Sequence, residues 1–219
     1  MTVRLAIFDC DGTLTDGQGA VCEAMESAFA AISAPAPPRA QIRRIVGLSL
    51  PQAIARLLPD ADEADRAAVV ERYKQEFRAA RLSGRLHEPL FDGIADLLHA
   101  LHAEGWALAV ATGKSDRGLQ ATLEAHGLTQ LFASLQTADR HPSKPHPAML
   151  EAALADTLAQ PEHAVMIGDT VYDMGAGQAA GVRALGVGWG YHEPHELLAA
   201  GAQAVAATPH ELKDLIDAG

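Results

Sequence analysis

Two carboxylates separated by one residue, Asp9 and Asp11, follow directly on an apolar run over residues 3–8, in the stretch Asp9-Cys10-Asp11-Gly12-Thr13-Leu14-Thr15-Asp16. Ionised acids this close repel, so the pair needs a cation, or a proton held by one member, to offset the repulsion. The chemistry open to such a pair is metal-assisted attack by one carboxylate while the other moves a proton. An Asp-rich turn with Gly12 at positive φ gives the same local pattern with no chemistry. What else the chain brings to the same place decides between the two.

Further candidates lie far along the chain. Thr112-Gly113 ends an apolar run over 106–111, Lys144 stands in Ser143-Lys144-Pro145, and Gly168-Asp169-Thr170 closes a run over 164–167 with Asp173 close behind. Apolar runs with little alternation, separated by helical patterns, indicate a parallel sheet covered on both faces. After residue 88 the pattern predicts a helix with Ile94, Leu97, Leu98 and Leu101 on its buried face, ended by Gly105. Strands follow at 106–111, 133–137, 164–167 and 182–187, with a weak strand at 204–206. Helices over 116–126, 148–156 and 174–180, one from about residue 194, and one opened by Thr208-Pro209 separate them. The expected fold class is therefore α/β, a doubly wound parallel sheet. Ligands of such sheets bind beyond the carboxyl ends of the strands, and all of the polar candidates fall at that edge. Their convergence argues for an active site over a decorative turn.

Residues 17–85 read differently. Helical patterns over 20–32, 39–46, 52–58 and 64–82 are broken by Ala34-Pro35-Ala36-Pro37-Pro38, Pro51 and Pro59, with no strand-like alternation. The expected organisation is a core of 1–16 and 86–219 carrying an all-helical cap of 17–85 over the carboxyl edge of the sheet.

Composition narrows the partners. A net charge of −11, with no arginine-rich tract interleaved with aromatics, argues against nucleic acid and anionic membrane. Residues 39–85 nevertheless hold ten Arg and Lys against six Asp and Glu, a surplus that could draw anions toward the cleft beneath the cap. No apolar stretch approaches the roughly 20 residues that cross a bilayer. Cys10 and Cys22 form no CxxC pair and nothing at the start reads as a signal peptide, so the expected compartment is the cytoplasm.

The set Asp9-Cys10-Asp11-Gly12-Thr13-Leu14, Thr112, Lys144 and Gly168-Asp169-Thr170 with Asp173 resembles the four motifs of the haloacid dehalogenase-like hydrolases. Within them it is most similar to phosphoglycolate phosphatase-like enzymes with a small helical cap. The resemblance implies that Asp9 attacks phosphorus to form an aspartyl phosphate and that Asp11 acts as acid and then base. It implies Mg²⁺ on Asp9, the backbone carbonyl of Asp11, and Asp169, with Asp173 orienting the metal's waters or Lys144. Thr112 and Gly113 would bind phosphoryl oxygens, and Lys144 would offset charge on phosphate and nucleophile. The loop Gly47-Leu48-Ser49, with Arg43 or Arg44 beside it, resembles the cap loop that selects substrate.

Two departures stand out: Asp16 precedes Gly17 where relatives often carry Ser, which implies a looser cap hinge, and the second motif continues as Gly113-Lys114 where many relatives carry Asn after the hydroxyl residue, so that a side-chain contact there is either missing or supplied by Lys114. The expected activity is a Mg²⁺-dependent phosphatase acting on a small phosphorylated metabolite. A β-phosphoglucomutase-like isomerase would use the same acids, and a non-catalytic phospho-ligand binding module would have little need for the whole set. His141 and His146 flank Lys144 as possible pocket residues. The pairs His99/His102 and His192/His195 lack a third ligand and read as surface histidines.

Overall fold

The computed structural model describes residues 2–218. Its centre is β1 (Leu5–Phe8), whose four residues are all fully buried because both faces of the strand are covered. Strands β2 (Ala107–Thr112), β3 (Phe132–Thr137), β4 (Ala164–Gly168), β5 (Arg183–Val187) and β6 (Ala204–Ala206) complete an all-parallel sheet of order β3-β2-β1-β4-β5-β6.

Alternation along β1 divides the core in two. Ala6 and Phe8 face α5 (Ile94–Ala103) and α10 (Pro209–Asp217), joining Leu98, Leu101, Val110, Ile167 and Ile216. Leu5 and Ile7 face the other way, toward Met149 and Leu150 of α7 (Ala148–Thr157) and Ala176 of α8 (Val171–Ala179). The remaining core helices are α6 (Asp116–Ala125) and α9 (Pro194–Ala199). The chain winds outward from β1 in one direction and then the other, so the crevice where the order reverses lies at the carboxyl ends of β1 and β4.

Between β1 and α5 lie four helices, α1 (Gln18–Ala30), α2 (Arg39–Arg44), α3 (Leu50–Leu57) and α4 (Glu63–Leu82). They bury a separate apolar cluster that includes Val21, Met25, Phe29, Ile42, Ile54 and Val69, and Tyr172 of the core helix α8 joins it. The hinge is strapped by main-chain bonds from Asp16 N to the Pro89 carbonyl (2.8 Å) and from Phe91 N to the Leu14 carbonyl (3.1 Å). Among the described residues no helix is long and apolar enough to cross a membrane.

One boundary differs in an informative way. The helix expected over 174–180 begins at Val171, because Thr170 accepts from the Asp173 backbone while the Asp173 side chain accepts from Thr170 N. This reciprocal cap supplies two otherwise unpaired donors of the first turn, and it fixes the side chain of a site residue.

Candidate active site

Each candidate side chain is positioned by the strand that precedes it. Asp9 leaves β1 with its amide held by the Ile167 carbonyl of β4 (2.9 Å), and its carboxyl is fully buried. Lys144, in the loop after β3, is also fully buried. Its Nζ donates to the Ala111 carbonyl (3.0 Å) and to Asp173 Oδ1 (2.5 Å), and lies 2.9 Å from Asp9 Oδ1. Asp173 Oδ2 accepts from the amide (3.0 Å) and hydroxyl (2.7 Å) of Thr170. Asp169 Oδ1 accepts from the Thr13 hydroxyl (2.9 Å) and Oδ2 from the Tyr191 amide (2.8 Å).

Carboxylate oxygens of Asp9, Asp169 and Asp173 lie within 4.8 Å of one another. Three buried acids face one buried ammonium there, an arrangement that a divalent cation with oxygen ligands would complete. The donor set fits such an ion. Both oxygens of Asp9 are buried with no hydrogen bond of good geometry, Lys144 approaching one of them off-axis. The two oxygens of Asp173, by contrast, are committed to Lys144 and Thr170.

The electrostatics carry the same message. Burial lifts the Asp9 pKa to about 7 against the opposing pull of Lys144, with Asp173 adding to the rise. Asp169 is pushed well above the ordinary carboxylate range by burial and then by Asp9 and Asp173. Burial disfavours the Lys144 charge, but Asp173 and Asp9 outweigh it and hold the ammonium firmly protonated. With no cation the Asp9 carboxyl would take up a proton near neutrality, and a bound cation reverses that tendency.

Two glycines are needed by close approach. Gly12 adopts φ +87°, and a Cβ there would stand 2.2 Å from Asp169 Oδ2. A Cβ on Gly113 would stand 2.4 Å from the Leu48 carbonyl, so this glycine lies directly beneath the loop Gly47-Leu48-Ser49. Gly47 rests on Thr170, and the Ser49 amide donates to Ser143 Oγ (2.7 Å). The loop Gly47-Leu48-Ser49 is thus docked on the second, third and fourth motifs at once. Thr112 is buried, its Oγ1 accepting from Lys114 N (3.2 Å).

Between cap and core lies a cavity of about 690 Å³. Its floor carries Asp11, Gly113 and Lys114, and its cap side carries Leu48, Tyr73 and Phe77. The size is that of pockets taking ligands well beyond two carbons, roughly 300–1,000 Å³. The structure does not bring Arg43 or Arg44 to it. Arg44 forms a two-pronged pair with Glu196 of α9 (2.6 and 3.0 Å), because residues 43 and 44 lie on the helical face opposite buried Ile42 and Ile45. His141 is turned to Gln136 (2.7 Å), and His146 Nδ1 accepts from the first amide of α7, Ala148 N (3.2 Å). His99, His102 and His195 are exposed as expected, but His192 is buried. Its ring sits edge-on to Tyr172, with Nε2 3.2 Å from the Arg44 carbonyl at the cap–core seam.

Sequence reasoning missed Tyr191 and Glu88, and gave Lys114 only as a stand-in for the side-chain contact of the second motif. Tyr191 covers Gly12 with its ring, and its hydroxyl is buried without a partner. Lys114 Nζ donates to Glu88 Oε1 (2.6 Å) and pairs by charge with Asp11 Oδ1 at 2.9 Å, where it makes no well-aligned hydrogen bond. Burial raises the Asp11 pKa against Lys114, whereas burial of Glu88 is outweighed by Lys114 and Arg81 and its pKa is lowered. No sequence signal pairs Lys114 with Glu88, which stand 26 residues apart and meet only in the folded hinge.

The same architecture recurs in known proteins. The family model described as haloacid dehalogenase-like hydrolase matches residues 6–187. The chain is 36% identical over 211 residues to the probable phosphatase IndB of Dickeya dadantii, covering 95% of this chain and 91% of that one. It is 28% identical over 222 residues to the phosphoglycolate phosphatase of Vibrio vulnificus, covering 98% and 96%. A crystal structure of a predicted phosphatase from Clostridium acetobutylicum superposes with a TM-score of 0.88 at 25% identity, over the whole of both chains. With the acidic pair, the buried lysine and the fourth-motif acids set around the sheet's reversal point, the chain belongs to the haloacid dehalogenase-like hydrolases.

Proposed function

We propose that this chain is a Mg²⁺-dependent phosphatase of a small phosphorylated metabolite that works through an aspartyl phosphate. The observation that carries the reading is the Asp9 carboxylate, buried, without a well-aligned hydrogen bond, and flanked by Lys144 at 2.9 Å. A fully buried acid in that condition is costly to keep, and it suits a nucleophile whose oxygens are reserved for a metal and for phosphorus.

In this reading Asp9 and Asp169 hold Mg²⁺, with the Asp11 main-chain carbonyl as a further ligand. When bound, the ion neutralises charge on the transferring phosphoryl group and pulls Asp9 into its ionised, nucleophilic form. Asp9 Oδ attacks phosphorus while Asp11 delivers its proton to the departing ester oxygen. Asp11 then takes a proton from the water that cleaves the aspartyl phosphate, which restores both acids. Thr112 Oγ1 and the Gly113 amide bind phosphoryl oxygens. Lys144, fixed by Asp173 and the Ala111 carbonyl, offsets the negative charge that nucleophile and phosphate bring together. Asp173 holds Lys144 in place.

The docked loop Gly47-Leu48-Ser49 and the cap helix α4 close the cavity over the leaving group and keep bulk water from the intermediate. Phosphoglycolate heads the substrate panel through the similarity to the Vibrio enzyme. The cavity volume puts larger sugar or nucleoside monophosphates on the same panel. The test is Asp9→Asn with p-nitrophenyl phosphate and Mg²⁺. Turnover is expected to vanish with the fold intact by circular dichroism, and substantial residual turnover in the purified variant rejects the assignment.

A further inference from the structure

A row of buried charges beside Asp11 has no part in the reaction as described so far. Lys114 Nζ stands 2.9 Å from Asp11 and 2.6 Å from Glu88, and the three side chains are only 10%, 14% and 6% exposed. Glu88 is fixed from several other sides: Thr122 Oγ1 donates to its carboxylate (3.4 Å), His126 Nε2 to its main-chain carbonyl (2.8 Å), and Arg81 from the end of cap helix α4 reaches Oε2 at 3.3 Å. The row lies at the hinge. A Cβ on Gly17, where the chain leaves for the cap, would be 3.5 Å from Asp11 Oδ1 and 3.6 Å from Glu88 Oε1.

Packing alone gives no reason for this row. Apolar residues of similar volume commonly serve as well as a buried ion pair or better, and the hinge already has its main-chain straps. What the row does accomplish is geometric. An ammonium bound to Asp11 alone could swing with it, whereas one anchored by Glu88 gives the Asp11 carboxyl a fixed partner at the floor of the cavity.

We infer that Glu88 and Lys114 are positioning residues for Asp11: Glu88 anchors the ammonium, the ammonium fixes the Asp11 carboxyl toward the leaving oxygen, and Arg81 ties this set to the cap. The inference rests on the phosphatase reading above. In the step concerned, an Asp9 oxygen forms its bond to phosphorus as the ester P–O bond breaks, and the Asp11 proton goes to the leaving oxygen. Lys114 then faces the carboxylate left behind. In the second step water forms the new P–O bond, its proton goes to Asp11, and the Asp9–phosphorus bond breaks.

The experiment compares two esters by kcat/KM, which reports steps through phosphoryl transfer to Asp9. p-Nitrophenyl phosphate has a leaving group that needs little protonation, and phosphoglycolate, an alkyl ester, needs a proton at its leaving oxygen. Glu88→Gln and Lys114→Met are each expected to lower kcat/KM for phosphoglycolate by about 10- to 100-fold, less than the roughly 10²- to 10⁴-fold that general acid catalysis supplies in full, because Asp11 itself remains, and that for p-nitrophenyl phosphate by less than threefold. The variants should also release a burst of nitrophenolate, since the second step still waits on Asp11. Lys114→Arg and Glu88→Asp should recover part of the loss. Equal losses on both esters, or no loss on either, overturn the inference. Should the wild type turn over p-nitrophenyl phosphate but not phosphoglycolate, the best alkyl ester of the metabolite panel replaces it. Wild-type protein that hydrolyses no ester at all removes the phosphatase reading and this inference with it.

Discussion

Replacing Lys144 by Met exposes how much the site depends on one buried cation. The side chain keeps nearly the same volume, so the change removes charge and leaves packing almost intact. What remains is Asp9, Asp169 and Asp173 within 4.8 Å with no ammonium among them. Removing one partner of a buried charge set costs about 3–5 kcal/mol, and a chain of this length loses roughly 2–4 °C of Tm per kcal/mol. Without metal, near pH 8, the variant should therefore melt about 6–20 °C below wild type. The sign of the pH dependence follows from Asp9. Its folded pKa, about 7, lies above the ordinary 3.8, so its contribution is complete below 3.8 and is lost as pH rises through about 7. Loss of the ammonium lifts that folded value further, so the gap between variant and wild type should stay level from about pH 5 to about pH 7, where Asp9 is protonated in both, and widen above it toward about pH 8. Differential scanning calorimetry in a chelator at several pH values measures this. A deficit below about 1 kcal/mol, or one of equal size at every pH, would show that Lys144 does not offset the acid cluster.

The metal and the cap give further expectations. Mg²⁺ at about a hundred times its Kd should stabilise wild type by roughly 2.7 kcal/mol. The effect should shrink below about pH 7 as protons compete for Asp9, and it should be lost in Asp169→Asn; a thermal shift independent of pH contradicts the ligand assignment. Gly113→Ala places a methyl 2.4 Å from the Leu48 carbonyl, so the cap loop must lift from the second motif. We expect kcat/KM to fall by at least about tenfold, a scale on which ångström misplacements act, with little change in metal binding. Steady-state kinetics beside a Mg²⁺ titration separates the two.

Much of this was legible before any coordinates. The strands are short apolar runs with no polar alternation, and a sheet buried on both faces requires such runs. Once those runs are strands, the edge that holds Asp9, Thr112, Lys144 and Asp169 follows from chain direction alone. Lys144 illustrates the limit. The sequence places it in the right loop, but its contacts with Asp173 and the Ala111 carbonyl are tertiary facts. Arg43 and Arg44 were attractive because they neighbour Gly47 in sequence, yet adjacency says nothing about direction on a helix. Buried Ile42 and Ile45 turn both arginines away from the cavity, and Arg44 finds Glu196. Glu88 and Tyr191 escaped, and with them the pairing of Lys114, because each acquires its meaning from a partner at least 22 residues away, joined only when the hinge closes or when β5 returns beside β4. The first turn of α8 was readable in retrospect from Thr170 and Asp173, a threonine with an acid three residues on.

The central claim is that Asp9 takes the phosphoryl group. Rapid quench of a turnover with a ³²P-labelled phosphomonoester, followed by trypsin digestion, tests it most directly. The account predicts hydroxylamine-labile label on the peptide running from Leu5 through Arg39, which contains Asp9, and none in Asp9→Asn. Wild-type turnover with no such label, or with label on another peptide, would contradict it.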